Sequence, residues 1–88
     1  MEKKTFTITS EFGLHARAAS TLVKRAARFQ SEMKLSYQDK NVNLKSTLGV
    51  MALAIPNHAE ITITADGEDE KEAIAAMEDR IGELKLAE

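Results

Sequence analysis

Glu32-Met33-Lys34-Leu35-Ser36-Tyr37-Gln38-Asp39-Lys40-Asn41-Val42-Asn43-Leu44 decides the fold. On its first arm Met33, Leu35 and Tyr37 alternate with Glu32, Lys34 and Ser36. On its second arm Val42 and Leu44 alternate with Asn41 and Asn43. A strict period of two puts the apolar residues on one side of an extended strand, and the polar Gln38-Asp39-Lys40 between the arms reads as the turn of a hairpin. Each strand then has one face to bury and one left to water.

The same signature recurs at both ends of the chain. Thr5-Phe6-Thr7-Ile8-Thr9 sets Phe6 and Ile8 against three threonines. Ile61 and Ile63, flanked by Ala59 and Ala65, alternate with Glu60, Thr62 and Thr64. Between these strands the period changes to that of a helix. From about residue 16 to 29, Ala19, Leu22, Val23, Ala26 and Phe29 form one stripe, and Arg17, Ser20, Thr21, Lys24 and Arg28 another. From about 69 to 84, Ile74, Met77, Ile81 and Leu84 repeat at three and four behind the acidic Glu68-Asp69-Glu70, which suits a helix N-terminus. Thr47 to Leu53, behind Ser46, is long enough for two turns. The expected order is β-α-β-β-α-β-α. Four half-polar strands and three helices are accommodated by an α+β two-layer open-faced sandwich, an antiparallel sheet with every helix on its apolar side.

No linker, repeat or low-complexity tract interrupts the 88 residues, so 1–88 reads as a single domain. A chain of this length buries only about 60% of the surface its unfolded form exposes, and a large enclosed catalytic cavity is not expected. With no cysteine, a disulfide scaffold, a thiol nucleophile and a thiolate zinc site are all excluded. His15 and His58 alone do not make a multi-histidine metal centre. No apolar run approaches the roughly 20 residues of a membrane span, and the opening Met1-Glu2-Lys3-Lys4-Thr5 does not resemble a signal-peptide core. A soluble, cytoplasmic protein is the expectation. The balance of 12 basic and 14 acidic residues argues against bulk nucleic-acid binding.

Gly13-Leu14-His15-Ala16-Arg17-Ala18-Ala19 stands where the first loop enters the first helix. A helix start leaves several backbone N–H groups unpaired, and with the helix dipole they favour an anion. A neutral imidazole at His15 is able to act as a nucleophile beside them. The amides of Ala16 and Arg17 could cradle a phosphoryl group, and the Arg17 guanidinium could grip its oxygens. On spacing alone, however, a lone histidine ahead of a helix is ordinarily a surface residue or a cap, and Arg17 a solvated side chain.

The stretch Gly13-Leu14-His15-Ala16-Arg17 with Ala19 resembles the active-site signature of the HPr family, the histidine-containing phosphocarriers of the bacterial sugar phosphotransferase system. Val42-Asn43-Leu44-Lys45-Ser46 with Gly49-Val50-Met51 and Leu53 resembles the regulatory-serine region of the low-GC Gram-positive members. Ala59-Glu60-Ile61-Thr62-Ile63 and Gly67-Glu68-Asp69-Glu70 resemble their last strand and the turn into their last helix. The resemblance spans essentially the whole chain.

It implies a sheet in the order 1-4-2-3 with three helices on one face. It also implies that His15 accepts a phosphoryl group on Nδ1 from phosphorylated enzyme I, ultimately from phosphoenolpyruvate, and passes it to the IIA unit of a sugar permease. Such transfer needs positioning and charge stabilisation more than acid–base machinery, so a carrier without cofactor or metal suffices. Ser46, read from its position as an N-cap, is by resemblance also a site for the family's HPr kinase/phosphorylase, and its phosphorylated form a ligand for a catabolite-control transcriptional regulator.

Leu48, Val50, Met51 and Leu53 supply more apolar side chains than one buried face of a short helix needs. By the family pattern Leu14, Leu48, Gly49 and Met51 lie beside His15 as the centre of a docking site that also takes in Ser20, Thr47 and Leu53, with Arg17, Lys24 and Arg28 as its basic rim. A monomer is expected. The chain departs from the family pattern in carrying Ala18 where proline is usual, Phe12 where small polar residues are common, Thr47 where an apolar residue is typical, and Ala54 and His58 where glycine is common. Positive backbone φ angles at Ala54 and His58 are therefore expected to be strained. An alternative reading is a regulatory interaction module acting mainly through phosphorylated Ser46.

Overall fold

The computed structural model describes residues 1–87. The elements run β1 (Glu2–Thr7), α1 (Ala16–Ala26), β2 (Glu32–Tyr37), β3 (Lys40–Asn43), α2 (Thr47–Ala52), β4 (Glu60–Asp66) and α3 (Glu70–Glu83). The strands form one antiparallel sheet in the order β1-β4-β2-β3. The hairpin register pairs Leu35 with Val42 and Tyr37 with Lys40, and β4 lies between β1 and β2, setting Ile61 opposite both Phe6 and Tyr37. Architecture and strand order are as expected.

The apolar face of the sheet contributes Phe6, Met33, Leu35, Ile61, Ile63 and Ala65 to one core, which the helices complete with Leu22, Val23, Val50, Met77 and Ile81. The other face is polar and wet, and there Thr5 and Thr62 approach to 3.0 Å between hydroxyls across β1 and β4. At the edge of the sheet, on the side of Phe6, Lys4 pairs with Glu78 of α3, holding strand to helix.

Element ends differ from the periodicity reading: in the hairpin, Lys40 belongs to β3 and not to the turn, and Leu44 lies just past that strand. β1 starts at Glu2 because backbone pairing with β4 carries it through Lys3 and Lys4, which have no apolar alternation to announce a strand. It also stops at Thr7; Ile8 is buried beyond it in an isolated bridge to Ala87.

α1 closes at Ala26 and does not reach Phe29. Its last turn tightens, Arg28 N–H donating to Arg25 at 3.2 Å and Phe29 N–H to Ala26 at 3.1 Å, and Lys45 Nζ takes up the Phe29 carbonyl at 2.6 Å. In α3, Ile74 is only half-buried and Leu84 is exposed, while Ala73 and Ala76 join Met77 and Ile81 in the core.

α3 ends in a paired Schellman arrangement. Leu86 N–H donates to Ile81 O and Lys85 N–H to Gly82 O, both at 3.1 Å, with Lys85 at φ 55°. That reversal swings Leu86, not Leu84, into the core. Asp69 is positioned as the N-cap of α3 but gives its side chain to Gln30 and Ser31 instead.

Candidate functional site

Gly13 sets the entry to α1. Its φ is +66°, and a Cβ there would stand 2.3 Å from the Ile55 carbonyl oxygen, which accepts the Leu14 N–H at 3.0 Å. The loop is thereby fastened to the segment after α2, and the next residue begins the helix. His15 is the N-cap, extended at φ −72° and ψ 169°, and its side chain turns back so that Nδ1 accepts from the Ala18 N–H at 3.4 Å. The His15 carbonyl takes the Ala19 N–H at 2.9 Å and starts the helical ladder.

His15, Ala16 and Arg17 are all exposed. The amides of Ala16 and Arg17 lie in the open first turn, with no acceptor among the described residues. An accessible ring nitrogen beside unpaired donors provides both a nucleophile and a place for the charge of a tetrahedral anion.

Ser46 caps α2 as its position implied, Oγ accepting the Gly49 N–H at 3.1 Å. Gly49 is close-packed there, since a Cβ on it would meet Ser46 Oγ at 3.3 Å. α2 packs against α1. Its outward side presents Leu48, 82% exposed, and Met51, 43% exposed, while Val50 is buried. Thr47 and Ser20 are half-buried. Phe12, in the loop before Gly13, is 78% exposed.

Leu14, expected in the docking centre, and Leu53, expected in the docking site around it, are largely buried, only 7% and 8% exposed. A six-residue helix has one inward side, and Leu53, its C-cap, falls with Val50 on that side. Leu14 is drawn into the core because its backbone is tied to Ile55.

Lys24 and Arg28 line a shallow hollow with Thr21, Arg25 and Arg80. The spacing 21, 24, 25, 28 could have nominated Arg25; Arg80 arrives from α3 and no local pattern reports it. Arg17 lies outside that hollow. A surface depression of about 510 Å³, lined by Tyr37, Gln38, Pro56, Asn57 and His58 among others, includes none of the predicted site residues. Among the described residues no group of three or more His, Cys, Asp or Glu could hold a metal, and no helix is long and apolar enough to cross a membrane.

The family model for the PTS HPr component phosphorylation site matches residues 2–83. The chain belongs to the HPr family. Among solved structures, the histidine-containing phosphocarrier protein of Mycoplasma is 42% identical, with a TM-score of 0.97 and 99% of each chain covered. The phosphocarrier protein HPr of Bacillus anthracis is 37% identical at TM-score 0.83, over 90% of this chain and 94% of that one. Crh, the catabolite repression protein of Bacillus subtilis, is 37% identical at TM-score 0.73, over 94% of this chain and 95% of that one, and was solved as a swapped dimer. Membership of the HPr family supports a phosphocarrier role in the phosphotransferase system, a relay and not an autonomous enzyme. Residues 13–19, the stretch that resembles the family's active-site signature, form the loop and first turn of α1.

Proposed function

We propose that this HPr-family protein carries a phosphoryl group on Nδ1 of His15, received from phosphorylated enzyme I and delivered to the IIA unit of a sugar permease. The observation that carries this reading is the placement of His15: an exposed N-cap whose Nδ1 faces the first-turn amides of α1. In the transfer the imidazole attacks phosphorus in line with the departing donor. The Ala16 and Arg17 amides and the Arg17 guanidinium share the charge on the equatorial oxygens. No cofactor or metal is called for.

Docking falls to the exposed apolar residues Leu48 and Met51, with Phe12, Thr47, Gly49 and Ser20 around them and Arg17, Lys24 and Arg28 as a cationic rim for acidic partner surfaces. Ser46 is the regulatory position, phosphorylated by an HPr kinase/phosphorylase and, in that form, recognised by a catabolite-control transcriptional regulator. The protein acts as a monomer in the cytoplasm. Incubation with phosphoenolpyruvate and enzyme I tests the carrier role: an acid-labile phosphate on His15 supports it, and absence of label under conditions that label the Mycoplasma protein rejects it.

The likeness to Crh supports a second reading, a regulatory module that works mainly through phosphorylated Ser46. Acid-stable phosphate at Ser46 without transfer through His15 is the result that would favour it.

A further inference from the structure

The hydrogen bond from Ala18 to His15 bears directly on the reacting atom. A neutral imidazole has one nitrogen that carries hydrogen and one that offers a lone pair. Because Nδ1 accepts from the Ala18 N–H, the ring hydrogen belongs on Nε2, and the one free lone pair of the ring points at an amide nitrogen 3.4 Å away. A tetrahedral phosphoryl group has no room between two atoms at that separation, and Nε2, already protonated, has no lone pair to offer. The ring as it stands is the right tautomer in a closed orientation.

Nothing else restrains it. His15 is exposed, and the Ala18 amide is the one hydrogen-bond partner of its ring among the described residues. We propose that the main-chain N–H of Ala18 is a positioning group that latches the His15 imidazole as the Nε2–H tautomer in a non-reactive orientation, and that the latch must open before phosphoryl transfer. Opening rotates the ring far enough to free the Nδ1 lone pair while leaving it beside the Ala16 and Arg17 amides. The Nδ1 lone pair then forms the new N–P bond, and the electron pair of the broken donor–phosphorus bond returns to the donor. The Nε2 proton stays in place, and the Ala18 amide is released beside those of Ala16 and Arg17. The latch rests on His15 being the phosphoryl acceptor.

Two variants remove the N–H alone or nearly so: Ala18→Pro, and a semisynthetic protein in which the Ala18 amide is replaced by an ester. The ester keeps the alanine side chain where Ala18→Pro adds ring atoms at a buried position. Initial rates of His15 labelling are measured with phosphoenolpyruvate and limiting enzyme I, and the ring tautomer is read from the nitrogen NMR shifts of His15. Both variants are expected to label roughly three- to tenfold faster, the factor that one hydrogen bond of this kind is worth. The unmodified protein should show Nε2–H, shifting toward a tautomer mixture when the amide is lost. Equal labelling rates in the unmodified protein and the folded ester variant, or an Nδ1–H tautomer in the unmodified protein, overturn the latch while leaving the carrier role standing. Failure of every form to label overturns both.

Discussion

Asp69 closes on Ser31 across the junction between β2 and α3. One carboxylate oxygen accepts the Ser31 N–H at 2.9 Å and the Ser31 hydroxyl, and the other accepts the Gln30 N–H at 2.8 Å. Ser31 is the one buried polar residue among those described, and Gly67 allows the closure, since a Cβ there would stand 2.7 Å from the Ser31 Cα and Oγ. A residue placed to cap its own helix ties that helix to the start of a strand 38 residues away in sequence.

The Ser31 hydroxyl first, and the Gln30 amide next, hold the Asp69 carboxyl below its ordinary value, and the N-terminal ammonium does the same for Glu70. A carboxylate depressed in the folded state contributes stability that is fully present above its unfolded value, near 4, and is lost as pH falls through the folded one. The urea midpoint should therefore fall between about pH 5 and acid, and Asp69→Asn should both lower it at pH 7 and flatten that fall. Identical pH slopes for the two proteins would sink this account. Ser31→Ala, which removes the hydroxyl alone, should cost about 1–2 kcal/mol.

Gly13→Ala should cost about 2–3 kcal/mol, because it combines a left-handed backbone with a contact onto main chain that no rotamer change relieves. Thermal unfolding measures the loss. Labelling of His15 should slow with it, because the loop that sets the start of α1 has to shift. A variant as stable as the parent would contradict the packing described at Ile55.

Ser46→Ala and Ser46→Asp should separate the two roles of that residue. Alanine leaves the Gly49 amide without its cap and should lower stability by about 1 kcal/mol; aspartate retains a capping oxygen and should lose little. Aspartate should nevertheless slow phosphoryl transfer to His15 by putting negative charge where acidic partners dock, the more so at low salt. Equal transfer rates for serine and aspartate at low and moderate salt would remove the regulatory part of the proposal.

Of the four non-glycine residues with positive φ at exposed turns, Gln38 at 57° sits in the hairpin, and the other three are Ala54 at 49°, His58 at 72° and Lys85 at 55°. Glycine at each should raise stability by about 0.5–1 kcal/mol, the relief of left-handed strain less the extra entropy of the unfolded chain. Lys85→Gly is the sharpest case, because that residue occupies the position in the Schellman turn where glycine is preferred. Denaturant titration of the single variants decides the matter, and a loss of stability at all three would refute it.

The hairpin, the helix that starts behind His15 and the cap at Ser46 were legible in the local sequence, and the strand order through the resemblance. Alternation and capping are local: they depend on which side chains and backbone groups lie within a few residues of one another. The strain at Ala54 and His58 was legible as well, through the resemblance. What lay beyond that reach was the inward or outward facing of individual apolar residues. Leu14 and Leu53 are core and Leu48 and Met51 are surface because of what stands opposite them. Likewise Leu86 replaces Leu84 inside because a three-residue turn reverses the chain. The Asp69 tie to Ser31 and the arrival of Arg80 beside Arg25 are of the same kind. Periodicity states that a face will be buried; the packed neighbours choose which residues complete it, because burial energy depends on the partner surface and not on the stretch that carries it.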